Sequence, residues 1–479
     1  MSARRVSTTW ISCLIIAIYS CKPATEENSV NTGTRSNIIF IFADDLGYND
    51  LSCYGQTHFS TPNIDALASQ GIRFTSFYTA SPVCAPSRCG LMTGRDMGHA
   101  LIRGNQQVPN RGGQLPLPDS AITVAEKLKE AGYATGMIGK WGLGNAVNSG
   151  NPLKQGFDFY YGYLDQILAH NAFPEFVLKN NDTIYLDNEV TYLSDTLWHE
   201  GLGSRSTKKV DYVQDLFTQE ATLFISQHQD TSFFLYLPVI IPHSNGEALE
   251  NEKNEAPSLG KFDDKPWNRE QKAYAAMIDE LDQSVGTIVN LVDSLGLGEN
   301  TLIIFTSDNG PDTYEPIQMF NSNGPWRGHK RDLYEGGIRM PLVARWTGTI
   351  SPGRESDHPS ALWDFMPAFC EMARVEAPPN NGISLLPELR GEDQPRHDYL
   401  YWEFPIPYFW QALRMDQWKA VKKPDDNDTY QVELYNLQTD PGEENNVASE
   451  HPAIAVQMDS IMMNHRTSNQ NFPSPFDQP

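Results

Sequence analysis

A short, strongly apolar run near the start of the chain constrains the fold more than any other stretch. Residues Ser36–Asp45 read SNIIFIFADD, and six of the seven residues from 37 to 43 are apolar. A run this short and this rich in Ile and Phe is typical of a strand buried on both faces, as in a parallel sheet. Because such a sheet needs helices on both sides, the run predicts an α/β domain.

Three later runs repeat this pattern, and all of them are followed by polar residues. They are Tyr133–Gly139, Ser232–Ile241 and Thr301–Ser307. The polar residues that follow the successive runs are Asp44 with Asp45, Lys140, His243, and Asp308 with Asn309. Ligands in open α/β sheets bind at the carboxyl ends of the strands, so we expect these residues to share one edge of a doubly wound sheet.

Asp44 and Asp45 are adjacent carboxylates that should lie close together at this edge. Two such groups repel each other by about 4 kcal/mol in an effective dielectric near 20, and a divalent cation removes that cost. Asp308 and Asn309 add one charged and one neutral oxygen, both of which suit a hard cation. The pattern predicts a metal site, with two solvated acids on a loop as the alternative.

The stretch Ser81–Arg95 reads SPVCAPSRCGLMTGR and holds the residues best suited to chemistry. Proline disfavours helical geometry in the residue before it, so we expect Cys84 on a loop, two residues before a helix with Pro86 in its first turn. A helix N-terminus attracts anions, and Arg88 adds a planar fork suited to sulfate, phosphate or carboxylate. The stretch predicts an anion site with a nucleophile at Cys84, with a buried structural cysteine as the alternative.

The charge of the chain limits its partners. Its 479 residues include 60 acidic and 36 basic side chains, a net charge of −24. This argues against nucleic acid as a partner, because binding it needs a basic face. Anion binding must come from a local basic cluster, and the densest cationic run is Asn323–Pro341, which contains Lys330. With only six cysteines, two of them in the N-terminal leader, we expect one disulfide bond or none.

The first 21 residues have the features of an export signal. A basic end precedes the apolar stretch Trp10–Tyr19, which is too short to span a bilayer as a stable helix. Ile18–Cys21 resembles a bacterial lipobox, although Tyr19 takes a position where a small residue is usual. We expect an exported bacterial protein, periplasmic or anchored to the outer membrane through a lipid on Cys21, with residues 22–35 as a tether. Plain secretion with cleavage nearby is the alternative.

The remainder divides into two parts. Residues 36–396 are predicted to form the catalytic domain, and residues 397–479 a smaller subdomain, because short strands at hairpin spacing begin near His397. The predicted fold class is α/β, with a large doubly wound mixed sheet and a smaller C-terminal antiparallel-sheet α+β domain. Within the first domain, Gly156–Pro174 is an aromatic, loop-like segment that contains His170. Its rings could form a platform for a sugar or could fill the core.

Cys84–Arg88 with the following CGLMTGR resembles the C-x-P-S-R-x-x-L-x-T-G-R signature of the type I sulfatases. The segment ELYNLQTDPGEENNVA near the C-terminus also resembles that family's closing motif. The resemblance implies that Cys84 is oxidised to formylglycine, an aldehyde whose hydrate is the nucleophile. It therefore also implies a maturation partner, either a formylglycine-generating enzyme or an anaerobic maturation enzyme.

The resemblance assigns a role to each polar residue at the strand ends. It implies that a metal ion, usually Ca²⁺, is bound by Asp44, Asp45, Asp308, Asn309 and the modified Cys84. It implies that Arg88 steadies the formylglycine hydrate, that Lys140 and Lys330 bind sulfate, and that His243 is the general acid near the ester oxygen. These roles imply hydrolysis of a sulfate ester with release of an alcohol.

One motif departs from the family pattern. The family commonly reads G-K-W-H-L-G, whereas Gly139–Gly144 reads GKWGLG, with Gly142 in place of the histidine. That histidine usually contacts the formylglycine hydroxyl, so another base must take its role. Our hypothesis is that His170 does so, with His329 as the fallback.

These observations predict a sulfuric ester hydrolase that removes sulfate from a sulfated carbohydrate. A phosphatase or phosphonate hydrolase on the same superfamily fold is one alternative, because a metal and an arginine would serve phosphate equally well. A lipoprotein that binds sulfated glycans without cleaving them is the other.

Overall fold

A mixed sheet of 11 strands forms the centre of the molecule. The computed structural model describes residues 1–2, 35–105, 114–193 and 203–477. The described residues form this sheet and two smaller ones, of four strands and of two. In chain order, the strands of all three sheets are β1 (Asn37–Ala43), β2 (Ile72–Tyr78), β3 (Ala134–Lys140), β4 (Phe159–Tyr163), β5 (Phe176–Lys179), β6 (Asp182–Tyr185), β7 (Glu189–Tyr192), β8 (Ser204–Lys208), β9 (Phe233–Pro238), β10 (Thr301–Ser307), β11 (Arg339–Arg345), β12 (Arg354–Ser356), β13 (Ser360–Ala361), β14 (Leu400–Phe404), β15 (Trp410–Met415), β16 (Trp418–Pro424) and β17 (Tyr430–Asn436).

The strand order places the ends of distant chain segments side by side. The order across the sheet is β12-β2-β11-β10-β1-β9-β3-β4-β5-β6, and β13 pairs with β2. Strands β10, β1, β9, β3 and β4 pair in parallel. Their carboxyl ends therefore lie at one edge, which we call the rim. The sheet is mixed because β11 pairs antiparallel to β10, β5 to β4, and β6 to β5.

Helices cover both faces of this sheet. In chain order, the helices of the described residues, including those outside this sheet, are α1 (Pro62–Ser69), α2 (Cys84–Thr93), α3 (Val124–Glu130), α4 (Val213–Gln227), α5 (Arg269–Ser294), α6 (Glu315–Phe320), α7 (Glu335–Ile338), α8 (Phe365–Ala373), α9 (Leu386–Arg390) and α10 (Pro452–His465). The side chains of β1 alternate between two cores, with Phe40 facing α2, α3 and α8, and Ile41 facing α1, α4 and α5. This double burial explains the continuous apolar run of β1.

The ends of the longest helix are set by its sequence. The Asn268 side chain accepts a hydrogen bond from the Gln271 backbone N–H, and the Gln271 side-chain oxygen accepts one from the Asn268 backbone N–H. This capping box satisfies donors that the first helical turn leaves without partners. The buried face of α5 then packs on α1 and α4 in the core below β1.

A second sheet follows in the C-terminal part of the chain. Strands β14, β15, β16 and β17 form an antiparallel meander. Met458 and Met462 of α10 pack against Leu413 and Leu434 of this sheet. The predicted α/β class, with a large mixed sheet and a C-terminal antiparallel sheet, is confirmed. The domain limits 36–396 and 397–479 remain a prediction.

Several local expectations need correction. Helix α2 begins at Cys84, not near Pro86, because proline costs little in a first turn whose N–H groups have no helical partner. The segment Gly156–Pro174 is not only a loop, since it contains β4. Its rings, such as Phe157 and Tyr163, are buried in the core, which is the second of the two roles that the sequence left open for them.

The four cysteines within the described ranges are all free. The predicted signal, the acylated Cys21 and the tether lie almost wholly outside the described residues. Among the helices that the structure describes, none is both long and apolar enough to cross a membrane.

Candidate active site

The register of the central strands brings the acidic residues together. Ala43, the last residue of β1, is opposite Ser307, the last residue of β10. The Asp308 backbone N–H then donates to the Ala43 carbonyl oxygen at 3.0 Å, which continues the ladder by one step. Asp44 and Asp308 therefore enter the rim side by side, and both are fully buried.

The backbone of Asp45 is left-handed, with φ at 62°. Its N–H donates to Asp308 Oδ1 at 3.2 Å, which offsets part of the cost of this conformation. Its carboxylate accepts hydrogen bonds from Asn309 Nδ2 and from Lys330 Nζ, each at 2.7 Å. Residues from three separate segments of the chain thus share one small volume.

Asp44 contacts the cysteine and two cations. Lys140 Nζ lies 2.6 Å from Asp44 Oδ2, and the Cys84 thiol donates to Asp44 Oδ1 at 3.4 Å. Arg88 Nη2 lies 3.7 Å from Asp44 Oδ2 and 2.8 Å from Asp308 Oδ2. The Arg88 guanidinium also donates to the Lys140 carbonyl oxygen. Lys140, which by default would be a surface lysine, is fully buried.

The carboxylates at the rim carry more negative charge than the buried site easily tolerates. Burial raises the pKa of Asp308 to about 7, and the charge on Asp44 adds to the effect. Burial also raises the pKa of Asp45, despite the nearby Lys330 ammonium. Burial alone would raise the pKa of Asp44, but Lys140 and its other cationic neighbours bring it below its usual range. A further cation in the group would favour the ionised form of all three.

Four side chains at the rim have ligand atoms within 4.8 Å of one another. They are Asp44, Asp45, Cys84 and His243, and we call them the rim group. Asp308 and Asn309 adjoin it through their contacts with Asp45. The buried Asn309 Oδ1 has no hydrogen-bond partner within the described residues. An unpartnered buried oxygen beside carboxylates is what a hard cation requires.

Helix α2 holds Cys84 as its first residue, with 2 % of its surface exposed. Burial raises the pKa of the Cys84 thiol to about 12, and the Asp44 carboxylate adds to the rise. A thiol in this state stays protonated at neutral pH, so it is a poor nucleophile as it stands. The position favours chemistry only after the side chain has been changed.

His243 is the one member of the rim group that is partly rather than fully buried. Its Nδ1 donates to the Ser244 carbonyl oxygen at 2.7 Å, so its Nε2 accepts from Lys330 Nζ at 3.0 Å. Burial lowers the pKa of His243 well below its ordinary value, and Lys330 adds to the effect. Its Nε2 also lies 3.5 Å from Asp45 Oδ2.

His170 stacks on His243 with ring centroids 4.7 Å apart and an interplanar angle of 16°. Its Nδ1 lies 3.0 Å from Glu247 Oε2. In contrast, His329 contacts the Lys330 carbonyl oxygen and Asp332, and it does not line the pocket above Cys84. The geometry therefore favours His170 over His329, because His170 lines the same pocket as Cys84.

These residues open into a pocket of about 110 Å³. It is lined by Cys84, Asn105, Gln114, Gln166, Ile167, His170, His243, Ser244, Gly246, Asp312, Lys330 and Arg331. Sequence reasoning gave no role to Asn105, Gln114, Gln166 or Asp312. Asn105 and Gln114 stand outside every motif, so nothing in the sequence signals them. Arg331 lies in the cationic run that the sequence did single out.

A doubly wound α/β domain with buried cations and a cysteine at the carboxyl ends of its strands defines an enzyme class that acts on anionic esters. Residues 36–375 match the family described as Sulfatase. Residues 326–468 match the region described as N-sulphoglucosamine sulphohydrolase, C-terminal. The chain belongs to the sulfatase family, which confirms the predicted family and the prediction of an enzyme.

Individual relatives agree with this assignment. An N-acetylgalactosamine-6-O-sulfatase of Bacteroides thetaiotaomicron is 29% identical over 532 residues, covering 95% of this chain and 97% of the relative. Human arylsulfatase A is 35% identical over 384 residues, covering 76% of this chain and 70% of the relative.

Solved structures show the same fold. One comes from work on how Bacteroides thetaiotaomicron metabolises multiple glycosaminoglycans, with a TM-score of 0.73, 28% identity, and coverage of 89% of this chain and 98% of that chain. Another is Ps i-CgsB in complex with k-i-k-neocarrahexaose, with a TM-score of 0.72, 28% identity, and coverage of 90% and 92%.

Proposed function

We propose that this sulfatase removes sulfate from a sulfated carbohydrate, with formylglycine at position 84 and a calcium ion at the rim. The observation that carries the proposal is the set of three buried cations around Cys84. Arg88 and Lys140 are fully buried, and Lys330 is 3 % exposed. Buried, hydrogen-bonded cations beside a small open pocket are suited to a tetrahedral oxyanion.

The residues at the rim fit a calcium ion. Ca²⁺ prefers carboxylate and amide oxygens, and the site offers Asp44, Asp45, Asp308 and the unpartnered Asn309 Oδ1. The bound ion would supply positive charge that lowers the energy of negative oxygen atoms beside residue 84. The side chains of Lys140 and Lys330, which contact carboxylates in this structure, would then be available to a sulfate group.

A change at Cys84 is needed because its protonated thiol is not a competent nucleophile. Formylglycine, in its hydrated form, would supply two hydroxyl groups, one to attack sulfur and one whose loss of a proton later expels the sulfate by C–O cleavage and restores the aldehyde. Arg88 is placed to hold an oxygen on residue 84, since its guanidinium is fixed by Asp308 and by the Lys140 carbonyl oxygen.

The two histidines have distinct roles in this proposal. His243 borders the pocket, and once Lys330 Nζ has moved from it to a bound sulfate group, its Nε2 can carry the proton that the leaving sugar oxygen needs. His170 lines the same pocket, and its Nδ1 lies within hydrogen-bond distance of the buried Glu247 carboxylate. That contact favours the tautomer with an unprotonated Nε2, which a base requires. His170 is thus suited to remove the second hydroxyl proton at residue 84.

The carbohydrate part of the proposal draws on the relatives. The Bacteroides relative is named for a sulfated amino sugar, and the Ps i-CgsB structure is a complex with the sugar k-i-k-neocarrahexaose. The pocket is lined by amides, Asp312 and Arg331, which can hydrogen-bond to sugar hydroxyls. We further propose that the protein is exported, with Cys21 acylated. Membrane fractionation of the wild type and Cys21→Ser tests this, because only the wild type should stay with the membrane.

Maturation must act before Cys84 is enclosed. With 2 % of its surface exposed, this side chain is inaccessible to another enzyme in the folded protein. We propose that a formylglycine-generating or anaerobic maturation enzyme recognises the CAPSR segment while it is unfolded. Co-expression with such an enzyme should raise the converted fraction, whereas adding it to folded protein should not.

Mass analysis of the Cys84 peptide, combined with turnover of a panel of sulfated mono- and oligosaccharides, tests the proposed function. We expect the aldehyde in the wild type, release of sulfate from a sugar, and no turnover by Cys84→Ala with unchanged thermal stability. An intact thiol in protein that still binds sulfated glycans would point to a binding lipoprotein. Faster cleavage of phosphate esters than of sulfate esters would favour the phosphatase reading.

A further inference from the structure

Gly142 and Gln166 occupy one another's space at the pocket. Gly142 has φ at 76°, a left-handed geometry that side chains rarely adopt. A Cβ added at this position would lie 2.4 Å from Gln166 Nε2. The Gly142 backbone N–H also donates to the Leu164 carbonyl oxygen at 3.2 Å, which fixes the position close to the segment that carries Gln166. Glycine at 142 and glutamine at 166 are therefore mutually dependent.

Gln166 is buried and carries an unmet hydrogen-bond donor. The residue is 4 % exposed, and its Nε2 has no hydrogen-bond partner within the described residues. Buried amide donors are nearly always paired, so an unpaired one beside a pocket indicates a missing acceptor. The pocket that Gln166 lines also contains Cys84 and Lys330, where an anionic group is expected.

The segment around Gln166 is held in place. Its backbone N–H donates to Gln114 Oε1 at 3.0 Å. Asp165 Oδ1 accepts from the Ile167 backbone N–H at 2.7 Å and from the Leu168 backbone N–H at 3.2 Å. These contacts fix the backbone on both sides of the residue, so the carboxamide is positioned in advance of any ligand.

We propose that the Gln166 carboxamide donates a hydrogen bond to an oxygen of the sulfate group held at residue 84. It takes up the space that a side chain at position 142 would fill, and it supplies a donor there. A carboxamide neither gains nor loses a proton near neutral pH, so Gln166 binds and orients but does not serve as the base. This inference rests on the proposed function, and it is separate from the role proposed for His170.

Two substitutions change the donor in different ways. Gln166→Met keeps the length of the side chain but removes the N–H groups. Gln166→Glu replaces the donor by a carboxylate, which repels an anion. We expect kcat/KM to fall about 10²-fold in Gln166→Met and further in Gln166→Glu, since removal of one preorganised donor to an oxyanion costs about 10²- to 10³-fold. Gln283→Met, at an exposed helix position, is the matched control and should keep wild-type activity.

A double-mutant cycle tests the link between the two positions. Gly142→Ala should displace the Gln166 side chain, so its effect on kcat/KM should largely disappear in the Gln166→Met background. Additive effects would contradict the mutual dependence. The melting temperature of each variant is measured alongside, because a purely structural role would lower stability and leave the kinetics of the folded fraction unchanged.

Binding of inorganic sulfate to the calcium-loaded protein provides a readout that does not need turnover. We expect sulfate to bind about tenfold more weakly to Gln166→Met than to the wild type and to Gln283→Met. Equal affinity, or no binding by the wild type, would overturn the inference. If the wild type binds sulfate and Gln166→Met does not, but no sulfate ester is cleaved, the proposed function fails and the role of Gln166 stands.

Discussion

Two groups of side chains in the described part of the chain have ligand atoms within 4.8 Å of one another, and they differ in how far their polar atoms are paired. One is the rim group. The other is Asp96 with His99 and His465, which we call the second group. It joins the segment after α2 to the end of α10, so it ties the C-terminal part of the chain to the main sheet domain. If the distance between ligand atoms were the only criterion, both groups would be classified as metal sites.

The second group is closed by its own hydrogen bonds. Asp96 Oδ1 lies 3.0 Å from His99 Nδ1, and Asp96 Oδ2 lies 2.6 Å from His465 Nε2. The Tyr399 hydroxyl lies 3.1 Å from His465 Nδ1. Burial would raise the pKa of Asp96, but the hydrogen bonds from the two histidines lower it to about 2. One carboxylate matched by two imidazoles needs no further cation.

By comparison, the rim group and the residues that contact it keep unpaired polar atoms and surplus negative charge. Burial raises the pKa of Asp308 to about 7 and also raises that of Asp45. Asn309 Oδ1 and Arg88 Nε have no hydrogen-bond partners within the residues the structure describes. Unpaired polar atoms and surplus charge, rather than short distances, therefore distinguish a binding site from a structural hydrogen-bond network.

Removal of calcium should produce the largest difference between the two groups. We expect chelation, or Asp45→Asn, to lower kcat/KM by at least about 10³-fold, because the site loses the charge that stabilises anionic oxygens. Asp96→Asn is the control and should keep the calcium dependence of the wild type. Calcium-binding measurements check both variants, and full activity of chelated protein would refute the assignment.

His243→Ala should have the next largest effect. Loss of a general acid typically costs about 10²- to 10⁴-fold, and the cost should be greater for sugar sulfates than for aryl sulfates, whose leaving groups need no proton. His99→Ala, in the second group, should leave kcat unchanged. Equal losses on both substrates would remove the proton-transfer role of His243.

His170→Ala should be less damaging, with kcat lowered about 10²-fold. Its proposed role is to release sulfate from residue 84, so sulfate should accumulate on the protein during turnover, and mass analysis can detect it. Glu247→Gln should have a smaller effect in the same direction, since it disturbs only the orientation of the ring. Unchanged turnover by His170→Ala would leave the base at this site unassigned.

Asp96→Asn should affect stability rather than catalysis. The pKa of Asp96 is lowered from 3.8 to about 2, which at neutral pH corresponds to about 2 kcal/mol in the free energy of unfolding. Because the pKa is lowered on folding, this contribution is present above pH 3.8 and is lost as the pH falls through 2. Urea unfolding should show the full difference in unfolding free energy between the wild type and Asp96→Asn at pH 7, and about half of that difference near pH 3. A gap that does not depend on pH would contradict the ionic role.

The rim could be predicted because sheet register does most of the positioning. Asp44, Lys140 and Asp308 each follow or end a parallel strand, so adjacent strands bring them together whatever the loops do. The start of α2 at Cys84 was harder to see, because proline is tolerated anywhere in a first turn. The sequence was therefore informative at the strand ends, where a single rule decided the outcome, and less so at the start of α2, where the rule for proline allowed several starting residues.

The pocket wall could not be predicted in this way. Gln114 and Gln166 meet because one side chain accepts from the other's backbone across two loops, and no periodicity records such a contact. The aromatic residues near β4 were ambiguous for the opposite reason. Their chemistry suits a sugar or a core equally well, and only the packing of helices on both faces of the sheet decides between the two.

The assignment of the calcium site can be tested by anomalous diffraction from crystals of the calcium-loaded protein. We expect one strong calcium peak bound by Asp44, Asp45, Asp308, Asn309 and an oxygen on residue 84, and none between Asp96 and the two histidines of the second group. Calcium found at the second group with the rim empty, or an unmodified thiol at position 84 in active protein, would contradict it.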